Sequence, residues 1–273
     1  MSTTHPALNR FMLTGRVALV TGAGMGLGAA IARQLSALGA RLSLLDRDLD
    51  SATGLAETLT HSGGEAMILH CDISRHADVD QAVAATCARW GRLDIVINSA
   101  GITSDPGMPF TNNSAQDWER TLSVNLHGAV RVCQQAREPL LQSPAGRIVN
   151  IASITGVIAA PFMPPYSVSK AALIAFSRVI ARELAPHHVC VNAVCPGFIR
   201  TPLWRALGQR LASHAQRPAH EADHIFDERV RQLVPMQREQ TAEDVADLVA
   251  FLCSDAARNI TGQVIGVDGG VTI

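Results

Sequence analysis

The chain is short of aromatic residues, has almost no net charge, and contains no long apolar run. Phe, Trp and Tyr make up 4% of its 273 residues, and Tyr166 is the only tyrosine. Twenty-three Lys and Arg stand against 24 Asp and Glu, a formal net charge of −1. No basic run or patch is visible, so the electrostatic footprint of a nucleic-acid binder is missing. The acidic runs of solvating tails are missing too. No apolar stretch reaches the roughly 18 residues that a membrane helix needs. The first ten residues are polar and lack the apolar core of a signal peptide, so residues 1–12 are expected to form a short mobile arm. The six cysteines (71, 87, 133, 190, 195 and 253) include no C-x-x-C pair. They read as reduced thiols of a cytoplasmic protein rather than a disulfide framework or zinc site. His214, His220 and His224 lie close in sequence, but no cysteine joins them, and no metal site is expected.

What is present is a large apolar fraction, 47%, with only 17% charged residues. A chain of this length and composition can bury a sizeable core as one α/β domain. Short apolar runs recur at residues 17–21, 41–46, 66–71, 93–98, 147–152, 189–195 and 263–267, with helix-like stretches between most of them. That alternation predicts right-handed crossovers and a doubly wound parallel sheet covered on both faces, a Rossmann-type fold. Residues 198–231, rich in Arg, His and Ala, break the rhythm before the last strand. They are expected to form a helical lid over the substrate.

The first run leads into Thr21-Gly-Ala-Gly-Met-Gly-Leu-Gly28. Glycine opens backbone angles closed to other residues, and its missing Cβ lets a pyrophosphate approach the chain. The helix that follows points free N–H groups and its positive dipole end at such an anion. Eighteen residues after Gly28, Asp46 closes the second run. A carboxylate there accepts hydrogen bonds from ribose hydroxyls and repels a 2′-phosphate. Met25 offers no cation inside the turn. Arg47 is the one residue at hand that could welcome NADP, and the balance favours NAD.

Tyr166 and Lys170 stand four residues apart at the start of a helical stretch running to about Leu184, so they share a face. An ammonium there is expected to lower the phenol pKa from its usual value near 10. Ser153 lies 13 residues before Tyr166, at the end of a strand. At these residues the chain resembles the short-chain dehydrogenase/reductase family in its short, single-domain form, over nearly all of residues 15–270. Thr21, Gly22, Gly26 and Gly28 match T-G-x-x-x-G-x-G rather than the T-G-x-x-G-x-x-G of epimerase-type relatives. Asn98-Ser-Ala-Gly101 matches N-N-A-G except at Ser99. Pro196-Gly197 with Thr201 matches P-G-x-x-x-T, and Val267-Asp-Gly-Gly270 resembles the usual ending of the last strand.

The resemblance implies a catalytic set of Ser153, Tyr166, Lys170 and Asn125. Ser153 and Tyr166 hold the substrate oxygen. Tyr166 exchanges the proton, Lys170 binds the nicotinamide ribose, and Asn125 relays the proton through a water. It implies a cofactor site built on Gly22, Gly24, Met25, Gly26, Leu27 and Gly28 at the turn. Asp46, Arg47, Cys71, Asp72 and Ile73 lie at the adenosine, with Asp72 beside the adenine ring. Asn98, Ala100 and Gly101 follow, with Tyr166, Lys170, Pro196, Gly197, Ile199 and Thr201 at the nicotinamide. It also implies a homotetramer or homodimer built on two long helices, at about 114–138 and 166–184.

The expected substrate wall is mostly apolar: Ile154, Val157, Phe162, Met163, Phe198, Leu203 and Trp204. It suits a cyclic, aryl or steroid-like secondary alcohol or ketone. Arg200 or Arg205 could meet an acidic substrate. A 3-oxoacyl thioester reductase of fatty-acid synthesis type, and a cofactor-binding sensor without turnover, are the alternative readings.

Overall fold

A computed structural model describes residues 6–105, 109–214 and 216–273; the side chains of residues 6, 7, 203, 206, 214 and 219 lie outside the description. A helical turn, α1 (Pro6–Asn9), precedes β1 (Val17–Thr21) and α2 (Gly26–Ala37). Next come β2 (Arg41–Asp46), α3 (Leu49–His61), β3 (Ala66–His70), α4 (His76–Trp90) and β4 (Ile95–Asn98). A long broken helix then runs as α5 (Ala115–Leu122), a π-helical stretch (Ser123–Gly128) and α6 (Ala129–Gln142). The second half holds β5 (Arg147–Ile151), a turn α7 (Thr155–Ile158), α8 (Pro164–Leu184) and β6 (Cys190–Pro196). It closes with α9 (Pro202–His214), α10 (Ala222–Leu233), α11 (Ala242–Cys253) and β7 (Val264–Val267).

The seven strands form one sheet, all parallel, in the order β3-β2-β1-β4-β5-β6-β7. The seven expected strands are all present within one or two residues. Every residue of β1, β4, β5 and β6 is buried, which follows from helices covering both faces. Helices α2, α3 and α11 pack one face through Ile31, Leu35, Leu55, Val245 and Val249. Helices α4, α6 and α8 pack the other through Val79, Val83, Val132, Leu140 and Leu184. Strand order reverses between β1 and β4, and the crevice at such a switch point is where Rossmann-type sheets bind ligands, beyond the carboxyl ends of the strands. Among the described residues no helix is long and apolar enough to cross a membrane, and all six cysteines are free.

One local result differs from the sequence expectation. The helix expected over 114–138 is continuous only in sequence pattern, because its middle is wound as a π-helix around Asn125. Leu173 is core at 1% exposure, and Phe176 and Ile180 pack against the apolar cluster of α4, α6 and α8. Of the expected N-terminal arm, residues 1–5 lie outside the described residues; at its end the Arg10 carbonyl accepts the Ala256 N–H, and the Phe11 ring lies 6.3 Å from that of Phe251.

Candidate active site

A cavity of about 720 Å³ opens at the switch point. Its floor is the turn between β1 and α2. Gly22 has φ +63°, and a Cβ there would stand 2.7 Å from the Ala100 Cα. A Cβ on Gly28 would meet the Gly22 carbonyl oxygen at 2.0 Å, so the turn closes on its own helix only without side chains. Thr21 fastens this turn to the one after β4, its hydroxyl accepting the Ser99 and Ala100 N–H groups at 3.1 Å each. Helix α2 starts at Met25 in extended backbone with no side-chain cap, which leaves its first N–H groups to an outside acceptor.

Asp46 stands at the tip of β2 on the cavity wall. Its Oδ2 accepts the Gly24 N–H at 2.8 Å and its Oδ1 the Asp48 N–H at 2.9 Å. The carboxylate is thus fixed in place with acceptor capacity left over. Asp72 holds the turn after β3, accepting the Ser74 N–H and hydroxyl on one oxygen. The Ser74 bonds and the charges of Arg47 and Arg75 keep its carboxyl below the usual range, although burial opposes them. Arg47, Asp48, Cys71 and Ile73 complete this end. A dinucleotide fits what is present: a side-chain-free cradle at an uncapped helix start, followed by a fixed carboxylate one strand away.

Two expected cofactor residues sit off the wall. Gly24 acts through Asp46, since a Cβ there would crowd its Oδ2 at 3.0 Å. Asn98 is buried and donates to the Asn150 side chain at 2.8 Å, tying β4 to β5. Met25, Gly26, Leu27, Ala100, Gly101, Pro196, Gly197, Ile199 and Thr201 all line the cavity. The Thr201 hydroxyl also caps α9, accepting the Trp204 N–H at 3.2 Å.

Ser153, Tyr166 and Lys170 meet midway along the cavity, all buried. Ser153 follows β5, and its Oγ accepts from the Thr155 N–H and hydroxyl. Pro164 and Pro165 open α8, which suits the first turn, where the missing N–H costs nothing. That start places Tyr166 and Lys170 one turn apart. Lys170 Nζ donates to the Ile151 carbonyl at 2.8 Å and lies 5.6 Å from the Tyr166 ring centroid. Burial pushes the Tyr166 phenol up to about 12, with a hydrogen bond to Ser153 working the other way. Burial pushes Lys170 down to about 8. The expected lowering of the phenol by Lys170 is not what the cofactor-free arrangement gives: burial dominates, and the Ser153 hydrogen bond is what opposes it.

Asn125, inside the π-helical stretch, spends both amide hydrogens, on the Ile102 carbonyl and the Ser169 hydroxyl. Its Oδ1 accepts the Ile102 N–H. A water held by this residue must therefore donate to one of its oxygens. A Cβ on Gly101 would stand 3.4 Å from both Asn125 Oδ1 and Lys170 Nζ, so these two groups flank the same backbone.

The far end is walled by Ile154, Phe162, Met163, Phe198 and Trp204, as the sequence suggests. Val157 is not among them; it is 48% exposed on the outer side of α7. The Leu203 side chain lies outside the description. Arg200 is held by Asp223, Asp227 and Glu239 and covers Phe226 at 4.3 Å, and Arg205 is exposed. Neither lines the cavity. Sequence reasoning missed Leu207, Arg229, Leu233 and Val271, which come from α9, α10 and the C-terminal turn. A lone Arg on an amphipathic helix and a Val near the chain end carry no motif.

Seven parallel strands with the switch point over a glycine turn place the chain in the class of Rossmann-type oxidoreductases. A family model described as enoyl-(acyl carrier protein) reductase matches residues 22–272. D-threitol dehydrogenase of Mycolicibacterium smegmatis is 35% identical, with 96% of this chain and 95% of that protein covered. The crystal structure of L-sorbose reductase from Gluconobacter frateurii, complexed with NADPH and L-sorbose, has a TM-score of 0.90 at 28% identity. It covers 96% of this chain and 98% of its own. The 3-ketoacyl-(acyl-carrier-protein) reductase of Brucella melitensis, complexed with NADH, has a TM-score of 0.83 at 30% identity, covering 96% and 100%. The chain belongs to the short-chain dehydrogenase/reductase family, whose members are oxidoreductases that bind a nicotinamide cofactor.

Proposed function

We propose that this protein is an NAD(H)-dependent dehydrogenase acting on a secondary alcohol, or on its ketone in reverse. The observation that carries the proposal is one cavity holding Asp46 at one end and buried Ser153, Tyr166 and Lys170 midway along it. When bound, the dinucleotide supplies the hydride-accepting or hydride-donating carbon. The chain's own residues manage the oxygen and its proton. Ser153 and Tyr166 converge on the substrate oxygen. In oxidation Tyr166 takes the hydroxyl proton, and in reduction it returns a proton to the carbonyl oxygen. Lys170 would hold the nicotinamide ribose, and Asn125 would hold the water that leads the proton away.

NAD is favoured over NADP by charge. Asp46, Asp48 and Asp72 face the adenosine end against the single Arg47. A unit charge pair near 4 Å is worth about 1 kcal/mol in water and about 4 at an effective dielectric of 20. NAD should therefore be preferred by roughly tenfold or more in kcat/KM, and Asp46→Ala should narrow that gap. The decisive measurement is a panel of cyclic and aryl secondary alcohols with each cofactor, read by absorbance of the reduced dinucleotide. Equal or better efficiency with NADP would refute the cofactor assignment, and no turnover of any alcohol or ketone would leave a binding protein instead. The likeness to the Brucella reductase, itself complexed with NADH, favours a 3-oxoacyl thioester as the second reading. An acetoacetyl thioester in the panel separates it from a free ketone.

A further inference from the structure

Three arginines around α9 and α10 are spent on carboxylates. Arg200 reaches three of them. Arg217 holds Glu221 and both oxygens of Glu228. Arg210 pairs with Asp105. Among the described residues Arg205, Arg229 and Arg231 pair with none; Arg205 and Arg231 are exposed, whereas Arg229 is half-buried. Arg229 forms no ion pair and no hydrogen bond among the described residues; its guanidinium lies 5.3 Å over the ring of Phe162. Its sequence neighbour Glu228 is claimed by Arg217. The residues outside the description include no Asp or Glu, so no hidden carboxylate neutralises it.

Arg229 also lines the cavity. Phe162, on which it lies, packs against the cluster of Met163, Tyr166 and Leu207. The guanidinium is thus carried onto the same wall as the phenol, among Trp204, Leu207 and Leu233. It is half-buried, and burial holds its pKa below the ordinary arginine value with no partner acting against it. A cation that has lost water without gaining a counter-ion is costly unless a ligand supplies one. Its planar fork matches a carboxylate with two parallel hydrogen bonds. The sequence suggested Arg200 or Arg205 for this task. The first is neutralised by its own network and the second is turned to solvent.

We propose that Arg229 binds a carboxylate on the substrate, so that the natural substrate is an amphipathic hydroxy acid or oxo acid. The apolar body lies against Ile154, Phe162 and Trp204, the carboxylate meets Arg229, and the reacting oxygen sits at Ser153 and Tyr166. The carboxylate is unchanged by the reaction, which moves one hydride and one proton at the carbinol carbon and oxygen. The inference rests on the function proposed above and names its substrate class.

The test uses 4-oxocyclohexanecarboxylate, 4-acetylbenzoate and 4-oxopentanoate, each beside its methyl ester, with NADH. At least one acid is expected to show a KM roughly tenfold or more below that of its ester, the scale of a charge-assisted hydrogen-bonded pair. Arg229→Gln should remove that preference by raising the KM of the acid to that of the ester, and Arg229→Lys should restore part of it. A second readout needs no turnover: cyclohexanecarboxylate and benzoate should quench tryptophan fluorescence, through Trp204, in the parent and not in Arg229→Gln. Equal KM for acid and ester throughout, or an acid preference or quench that survives Arg229→Gln, overturns the inference while the dehydrogenase reading stands. If no ketone is reduced with either cofactor, the dehydrogenase reading falls, and the fluorescence measurement decides the anion site by itself.

Discussion

Tyr166 carries the chain's only phenol into a place where burial opposes its ionisation. Burial raises its pKa to about 12 in the cofactor-free chain, which favours the protonated form that donates in the reductive direction. Tyr166→Phe should cut turnover by about 10²–10⁴-fold while NADH binding stays close to that of the parent; near-parental activity in that variant would sink the proposed chemistry. Lys170 gives a stability prediction. Its folded-state pKa is about 8 against 10.5 unfolded, so the fold disfavours the charged form. Below pH 8 the full cost is present, about 3 kcal/mol, and it is relieved as pH rises from 8 towards 10.5. Cys71, Cys133 and Cys253, pushed up to about 12 by burial, act in the opposite sense above pH 9. The clean observable is therefore the difference between parent and Lys170→Met in cofactor-free denaturant unfolding. Lys170→Met should be the more stable at pH 7, with an advantage that shrinks from pH 8 to 10. A pH-independent difference would contradict the assignment. Ser153, Tyr166 and Lys170 were legible because each stands at a strand end or helix start whose pattern is visible in sequence. Arg229 was not, because only the folded chain shows which arginines already have partners.

Helices and strands were read well wherever burial imposes a period, and less well where one side chain rewrites the backbone. The π-helical stretch is such a case: Asn125 satisfies both backbone groups of Ile102 and reaches Ser169, a demand that apolar periodicity does not record. π-Helical bulges of this kind are frequent at functional sites. The proposed lid is a second case. Phe198, Trp204 and Phe226 form an aromatic triangle with centroids 5.0–6.3 Å apart, which binds α9 to α10 rather than leaving two loose helices. We propose that closure moves this pair as a unit about Pro196 and Gly197. Hydrogen exchange in residues 198–231 should slow on adding NADH with a ketone or carboxylate ligand. Strong protection already complete without them would make the segment a fixed wall. Trp204→Ala, which removes a side chain worth roughly 3–5 kcal/mol where buried, should raise KM for an apolar ketone more than it weakens NADH binding.

At the scale of the molecule, the sheet is fastened at the edge remote from the cavity. Asp94 accepts hydrogen bonds from the Val17 N–H and from Nε and Nη2 of Arg92, while Arg16 and Arg147 donate to the carbonyls of Cys253 and Ser254. These bonds hold β1, β5 and the end of α11 together and leave the opposite edge to the site. Assembly is the remaining question at this scale. Helix α8 exposes Val168 and Val179, and with α5 and α6 it is the surface proposed for a dimer or tetramer. A face burying on the order of 1,200–2,000 Å² would be needed for a stable pair. Light scattering at micromolar concentration should give a multiple of 29.0 kDa; a monomer would exclude that surface. The cavity itself is shared unevenly along the chain. Its dinucleotide end comes from residues before Gly101, and much of its far wall from α9, α10 and the C-terminal turn, after Pro196. Heredity can therefore treat the two ends separately: an exchange confined to residues 202–233 would alter the substrate wall while every residue expected at the cofactor stayed the same.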